Sequence, residues 1–184
     1  MKKLLLGAAL AVFAFTNVNA QEVKFGVKAG VNLSSISGDE TDDVDGLTSF
    51  HIGGVAEIVF SEKFSFQPEL MYSAQGYSID DVDVKLDYIS VPLMAKYYVA
   101  EGFSIEAGPQ IGILASAKAE DEDIKDFISG VDFGVGAGVG YKMDSGLNFA
   151  ARYNLGLSNI NDGEGSDDFK NQNSLLQLSV GFMF

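Results

Sequence analysis

Read from residue 21 onward, the chain alternates between apolar and polar side chains with a period of two, again and again. Val23, Phe25, Val27, Val31 and Leu33 fall on one face of the first such run, and Lys24, Lys28 and Asn32 fall on the other. Period two is the signature of a two-faced strand. Seven further runs follow. They are marked by Phe50 to Phe60, Phe64 to Ala74, Ile89 to Val99, Phe103 to Ile113, Val131 to Tyr141, Leu147 to Leu157 and Leu176 to Phe184 on their apolar faces. Each run has about the 9–11 residues that a tilted transmembrane strand needs. The connections also alternate. Residues 61–63, 100–102 and 144–146 are short and suited to hairpin turns, whereas 34–48, 79–87, 116–127 and 159–172 are long and polar. In an up-and-down barrel, successive connections lie at opposite ends. All the short turns then share one end with both termini, and all the long loops share the other.

Volume decides which face points inward. An eight-stranded barrel has room only for side chains or one small ligand. The apolar face carries Phe, Tyr, Ile and Leu on every strand, while the other face is rich in Gly, Ser, Ala and Asn. The large apolar groups therefore face lipid, which disfavours a water-soluble lipocalin-like barrel with an apolar interior. Phe50, Phe60, Phe64, Phe103 and Tyr141 sit near strand ends, where aromatic girdles meet headgroups. Glycines 134, 136, 138 and 140 thin one wall and are expected to make room for Tyr88, Tyr98 or Met94. The fold expected is all-β: an eight-stranded antiparallel up-and-down transmembrane β-barrel over 21–184.

A leader precedes it. Lys2 and Lys3 are followed by an apolar run from Leu4 to Phe15 and a stretch ending Val18-Asn19-Ala20. This pattern, at 1–20, predicts a secretory signal peptide cleaved after Ala20, too short for a membrane span. The 184 residues hold no Cys, so neither a disulfide framework nor a lipid-attachment thiol is expected.

Charge sharpens the picture. The chain has 26 acidic and 12 basic residues, net −14, and losing Lys2 and Lys3 with the leader makes that −16. A mean hydropathy of +0.13 beside such a charge means that the two kinds of residue are segregated. Most of the acids fall in the long connections, opposed there only by Lys85, Lys118, Lys125 and Lys170. Nucleic acid is excluded as a partner, since a basic stripe is missing. Asp39, Asp42, Asp43, Asp45, Glu120, Asp121 and Asp123 are weak candidates for loop cation sites, shared with lipopolysaccharide phosphates. Residues 41–46 lack the first acid and the bidentate Glu of an EF-hand, and neither a resident metal nor a cofactor is expected.

Inside the barrel, Lys24, Lys28, Glu57, Glu69, Lys96, Glu106, Asp132, Lys142 and Arg152 point inward. Unpaired charges there cost several kcal/mol, so Glu57, Glu69, Lys96, Glu106, Asp132 and Arg152 are expected to form a polar network. Arg152 is its hub because its planar fork binds two carboxylates, with Glu106, Asp132 and Glu57 the expected partners. His51 is the sole His, inward, at a height near Ser49, Ser73 and Asp87; no nucleophile motif accompanies it, so an interfacial hydrogen-bonding role is favoured over catalysis.

The stretches Tyr88-Ile89-Ser90-Val91-Pro92-Leu93 through Tyr98, Ala151-Arg152-Tyr153-Asn154-Leu155-Gly156-Leu157, and the terminal Phe184 with apolar residues at every second position before it resemble the PorT-like outer-membrane β-barrel family of Bacteroidetes-type bacteria. The resemblance spans the mature chain. It implies a Gram-negative outer-membrane location with periplasmic termini and extracellular long loops. It also implies that Leu176, Leu178, Val180, Phe182 and Phe184 serve as an insertion signal for the barrel assembly machinery. The partners expected are outer-membrane lipid and lipopolysaccharide and an unidentified protein, the barrel itself being monomeric. The role expected is structural or interactive and not enzymatic; a narrow channel and a lipid-modifying enzyme are the alternatives.

Overall fold

The computed structural model describes residues 22–38, 44–80, 82–120, 122–160 and 171–184. The expected signal peptide at 1–20 lies outside them. Among the described residues, eight long strands form the wall: β1 (Glu22–Gly38), β2 (Val44–Val59), β3 (Phe64–Ile79), β4 (Val82–Tyr98), β5 (Phe103–Ala119), β6 (Val131–Lys142), β7 (Leu147–Gly156) and β8 (Asn171–Met183). Each pairs antiparallel with its sequence neighbours, and β1 pairs with β8 from Gly26↔Met183 to Gly38↔Asn171, so the sheet closes on itself with no free edge. The fold is a closed eight-stranded antiparallel β-barrel.

Its faces are inverted relative to a soluble protein. Phe25, Ile52 and Leu70 are each more than half exposed on the outside, while Lys28, His51, Glu57, Glu69, Glu106 and Arg152 are buried inside. Every backbone N–H and C=O in hydrocarbon must be paired within the protein, and closure accomplishes this. Aromatic rings mark both ends of the outer wall: Phe60 stacks on Phe64 at 5.7 Å and Phe182 meets Phe184 edge-on at 5.7 Å near the short turns, and Phe50 lies 5.8 Å from Tyr72 near the other end.

The short turns are built as their residues dictate. Ser61 Oγ accepts the amides of Lys63 and Phe64, at 3.3 and 3.1 Å, in the first. The other two depend on Gly102 and Gly146, at φ 71° and 91°, where a side chain would be strained.

The opposite end differs from expectation. Three of the four long polar connections are half strand or more: of 34–48, residues 34–38 belong to β1 and 44–48 to β2. β3 runs to Ile79 and β4 begins at Val82, the two paired, with Asp80 in the left-handed region at φ 49°. β5 runs to Ala119, turns at Glu120 (φ 52°) and pairs with the two-residue strand Glu122–Asp123 before a 3-10 turn at Lys125–Phe127. Strands β1 to β5 thus have 16 or 17 residues, longer than a bilayer requires. Their extensions carry a second, apolar interior: Val84, Leu86, Tyr88, Leu114, Ala117 and Ile128 pack together and cap the lumen at this end, with Ile124 against them.

Candidate functional site in the barrel lumen

Inward-facing polar side chains from all eight strands fill the lumen in layers. Nearest the short turns is Glu57 of β2. Its carboxylate accepts Ser65 Oγ at 2.7 Å, Tyr98 Oη at 2.5 Å and Lys142 Nζ at 2.7 Å. Lys142 also lies 5.0 Å from the centre of the Tyr98 ring, a cation–π distance. Below this layer the lumen widens into a vestibule of about 590 Å3, lined among others by Lys24, Glu62, Tyr98, Lys142 and Asp144.

The middle layer is centred on Arg152 of β7. Its Nη1 and Nη2 donate to the two oxygens of Glu69 at 3.1 and 2.8 Å, and its Nε donates to Glu106 at 2.8 Å. Lys28 Nζ adds a 2.6 Å bond to Glu69, and Gln67 joins Glu69 at 2.7 Å to Lys96 at 3.1 Å. Arg152, Glu69, Glu106 and Lys28 are all buried. Two carboxylates on strands β3 and β5 are thus bridged across the barrel by one guanidinium, a geometry that fork-shaped Arg satisfies and Lys does not.

Above it lies a neutral layer. His51 bonds Asn32 Oδ1 through Nδ1 at 2.8 Å and Ser179 Oγ through Nε2 at 2.9 Å. Asn32 donates to Ser73 Oγ at 3.1 Å, and Gln177 donates to Asn32 at 3.0 Å and accepts from Asn154 at 2.9 Å. Highest is Asp132, which accepts Asn173 Nδ2 at 2.8 Å just beneath the apolar cap, where Tyr88 Oη also accepts from Asn173.

All six residues of the expected network face the lumen, but they do not form one cluster. Arg152 meets Glu106, and its second carboxylate is Glu69. The expected Arg152 contacts with Asp132 and Glu57 are corrected: Asp132 lies a layer above, against Asn173, and Glu57 lies a layer below, on Lys142. Strand adjacency suggested these pairings; height along the tilted strands decides them. The room beside the β6 glycines is also used differently. It is taken by β7's own side chains: Arg152 Cδ stands 3.3 Å from where a Gly136 Cβ would be, and Asn154 Oδ1 closes on the same glycine. Tyr88 instead lies over Gly112 of β5. Neutral members of the network, Gln67, Asn32, Asn173 and Gln177, give no signal in a search confined to charges.

His51 has both ring nitrogens engaged by neutral partners, with Ser73 joined to it through Asn32 and not directly. Leu176, Leu178, Val180 and Phe182 line the outer face of β8, and Phe184 follows it, all exposed. Of the loop cation candidates, Asp39, Asp42, Asp43 and Asp121 lie outside the described residues. Asp45, Glu120 and Asp123 are exposed, and Asp123 Oδ1 accepts the Lys125 amide at 3.0 Å. Among the described residues, no three His, Cys, Asp or Glu side chains are grouped to hold a metal ion.

Comparisons with known proteins agree with this architecture. The model of a family described as outer membrane protein beta-barrel domain matches residues 19–162. No curated protein matches the chain. Among solved structures, Neisserial surface protein A is similar at a TM-score of 0.61 and 16% identity, over 89% of this chain and 99% of that one. The attachment invasion locus protein of Yersinia pestis is similar at 0.56 and 15%, over 89% and 99%.

Proposed function

This chain belongs to the outer membrane protein beta-barrel domain family, and from that premise we propose that it is a closed, non-conducting outer-membrane barrel whose role is structural or interactive, exercised through its acidic loop end. The observation that carries the reading is the Arg152–Glu69–Glu106–Lys28 cluster, which crosses the lumen at mid-height with every charge matched by an opposite one. The apolar cap of Leu86, Tyr88, Leu114 and Ile128 adds a second barrier above it. A buried network of this kind fixes side-chain positions, which supports a lumen closed to ions. Reconstituted into planar bilayers, the protein should give no steady current; sustained conductance would reverse the reading in favour of a narrow channel, to which the vestibule at the turn end would be the entrance.

In this reading the termini and short turns face the periplasm and the acidic end faces outward. A strongly negative rim, with Asp45, Asp83, Asp87, Glu120, Glu122 and Asp123 among its described members, suits a basic protein partner or divalent ions bridging to lipopolysaccharide phosphates. Glu122→Cys should react with a membrane-impermeant thiol reagent on whole cells and Ser145→Cys should not; the opposite labelling pattern would invert the topology. The exposed apolar face of β8 is read as the segment handed to the barrel assembly machinery. The PorT-like, Bacteroidetes-type assignment is the finer form of the same family reading, supported by the Tyr88-to-Leu93 and Ala151-to-Leu157 stretches. A catalytic role for His51 is not favoured, because the ring is buried within the lumen and its Nδ1 is held by the Asn32 amide oxygen and not by a carboxylate.

A further inference from the structure

The acidic end of the barrel carries a basic patch on its outer face. Lys85 of β4 and Lys118 of β5 stand directly opposite each other in the ladder, and both are exposed. Their chain neighbours Leu86 and Ala117 are buried in the apolar cap, so the two lysines point outward. Lys125 joins them from the 3-10 turn that follows β5, its Nζ donating to the Ala115 carbonyl at 3.1 Å. Like charges facing each other across two strands repel, and acids that could relieve them are close by. Among the described residues, none does: Lys85, Lys118 and Lys125 make no ion pair. Asp123 stands opposite Lys118, but its Oδ1 accepts the Lys125 amide at 3.0 Å. Asp83 and Asp87, on either side of Lys85 along β4, stay beyond ion-pair distance.

The height of the patch says what meets it. Beneath it on the outer wall lie Ile89 of β4, Ile111 and Ile113 of β5 and Phe133 of β6, all exposed members of the apolar belt. Lys125 Nζ is held at Ala115, two residues beyond Ile113. Phe127 of the same turn is 68% exposed, an arrangement that suits the headgroup boundary, where aromatic girdles lie, better than open water. Lys85 is four residues above Ile89, about 10 Å of height on a tilted strand, and its flexible stem lets the ammonium reach back to the headgroup layer. The unpaired ammoniums therefore face lipid headgroups, and the group that relieves their repulsion is an anion of the membrane surface.

We propose that Lys85 and Lys118 clasp a phosphate monoester of lipopolysaccharide, with Lys125 bonding the same headgroup and Phe127 lying in the interface beside it. A phosphate monoester carries about −1.5 to −2 charges at pH 7 and three strong acceptor oxygens, which matches two opposed ammoniums. The phosphodiester of an ordinary phospholipid carries a single charge and matches them less well. No bridging metal is needed, which sets this site apart from the acids of the rim. The choice of lipopolysaccharide rests on the reading that this end faces outward; the contact between lysines and phosphate does not.

In phosphatidylcholine nanodiscs with EDTA present, doping with lipid A that bears its phosphates should raise the unfolding midpoint by about 2–4 °C. Dephosphorylated lipid A should not, and phosphatidylglycerol should give less than half the shift. The double variant Lys85→Gln/Lys118→Gln should lose at least half of it. Lys85→Arg/Lys118→Arg should keep it, as should Lys63→Gln at the short-turn end. Raising the salt should shrink it, because exposed charges are screened. The proposal is overturned by no shift in EDTA, by an equal shift with dephosphorylated lipid A or phosphatidylglycerol, or by a shift that survives intact in Lys85→Gln/Lys118→Gln. Both leaflets of the nanodisc hold lipid A, so these results decide the lysine clasp whichever way the barrel sits in cells. Failure of Glu122→Cys to label from outside would overturn the topology, and with it only the choice of lipopolysaccharide.

Discussion

Replacing Arg152 with alanine should lower the stability of the barrel by about 3–5 kcal/mol, the usual cost of removing one partner from a buried ion pair. Three hydrogen bonds vanish together, two to Glu69 and one to Glu106. The larger effect is on what remains: Glu69 keeps Lys28, while Glu106 is left buried with no ion-pair partner among the described residues. For a domain of this size the change corresponds to a midpoint about 10 °C lower or more, readable as a drop in the temperature at which the folded band is lost on unheated gels. Arg152→Lys keeps the charge without the fork, so it should recover only part of the loss. Arg152→Ala should still conduct no steady current, because the apolar cap of Leu86, Tyr88 and Ile128 is independent of it. An unchanged midpoint would mean that the middle layer contributes nothing to holding the wall together.

That cap shows where the sequence was readable and where it was not. The membrane-spanning alternation is plain because outward positions are apolar and inward ones polar over eight long runs. Above the membrane the relation reverses: Val84, Leu86 and Tyr88 point inward, while Asp83, Lys85 and Asp87 point to water. The period of two persists, but the charged outer face makes the stretch look like a loop. In β5 the signal is also broken. Between the Tyr88↔Leu114 and Asp87↔Ser116 pairs the register slips at Ala115, so that Leu114 and Ala117, three apart, both face inward. A bulge of this kind turns an alternating strand into an apparently irregular one. In the lumen, side-chain chemistry and direction were legible, and Arg152 as a carboxylate-binding hub follows from them. Which carboxylates it meets depends on strand tilt and register, and those follow from closure of the whole barrel and not from any local pattern.

Closure itself rests on glycines at positions where neighbouring backbone stands in the place of a side chain, and Gly108→Ala should destabilise the barrel by about 1–3 kcal/mol. Gly108 faces inward on β5, next to Pro109. A Cβ there would press on the Leu93 carbonyl oxygen, with Leu93 C at 2.9 Å and Met94 Cα at 3.0 Å. All three are backbone atoms, so no rotamer change relieves the contact; β4 and β5 must move apart. They are poorly able to do so, since the ladder between them already skips from Pro92↔Gln110 to Ala95↔Ala107 and proline offers no N–H to restore it. Gly54→Ala is the matched control. It lies on the outer face of β2, and a Cβ there would meet nothing within 4 Å. Its unfolding midpoint should stay level or rise slightly, because alanine restricts the unfolded chain. Equal losses in both variants would mean that glycine is needed in these strands for flexibility alone; a loss confined to Gly108→Ala places the requirement in the close approach of β4 to β5, the step by which eight strands close tightly enough to leave a lumen that side chains can fill.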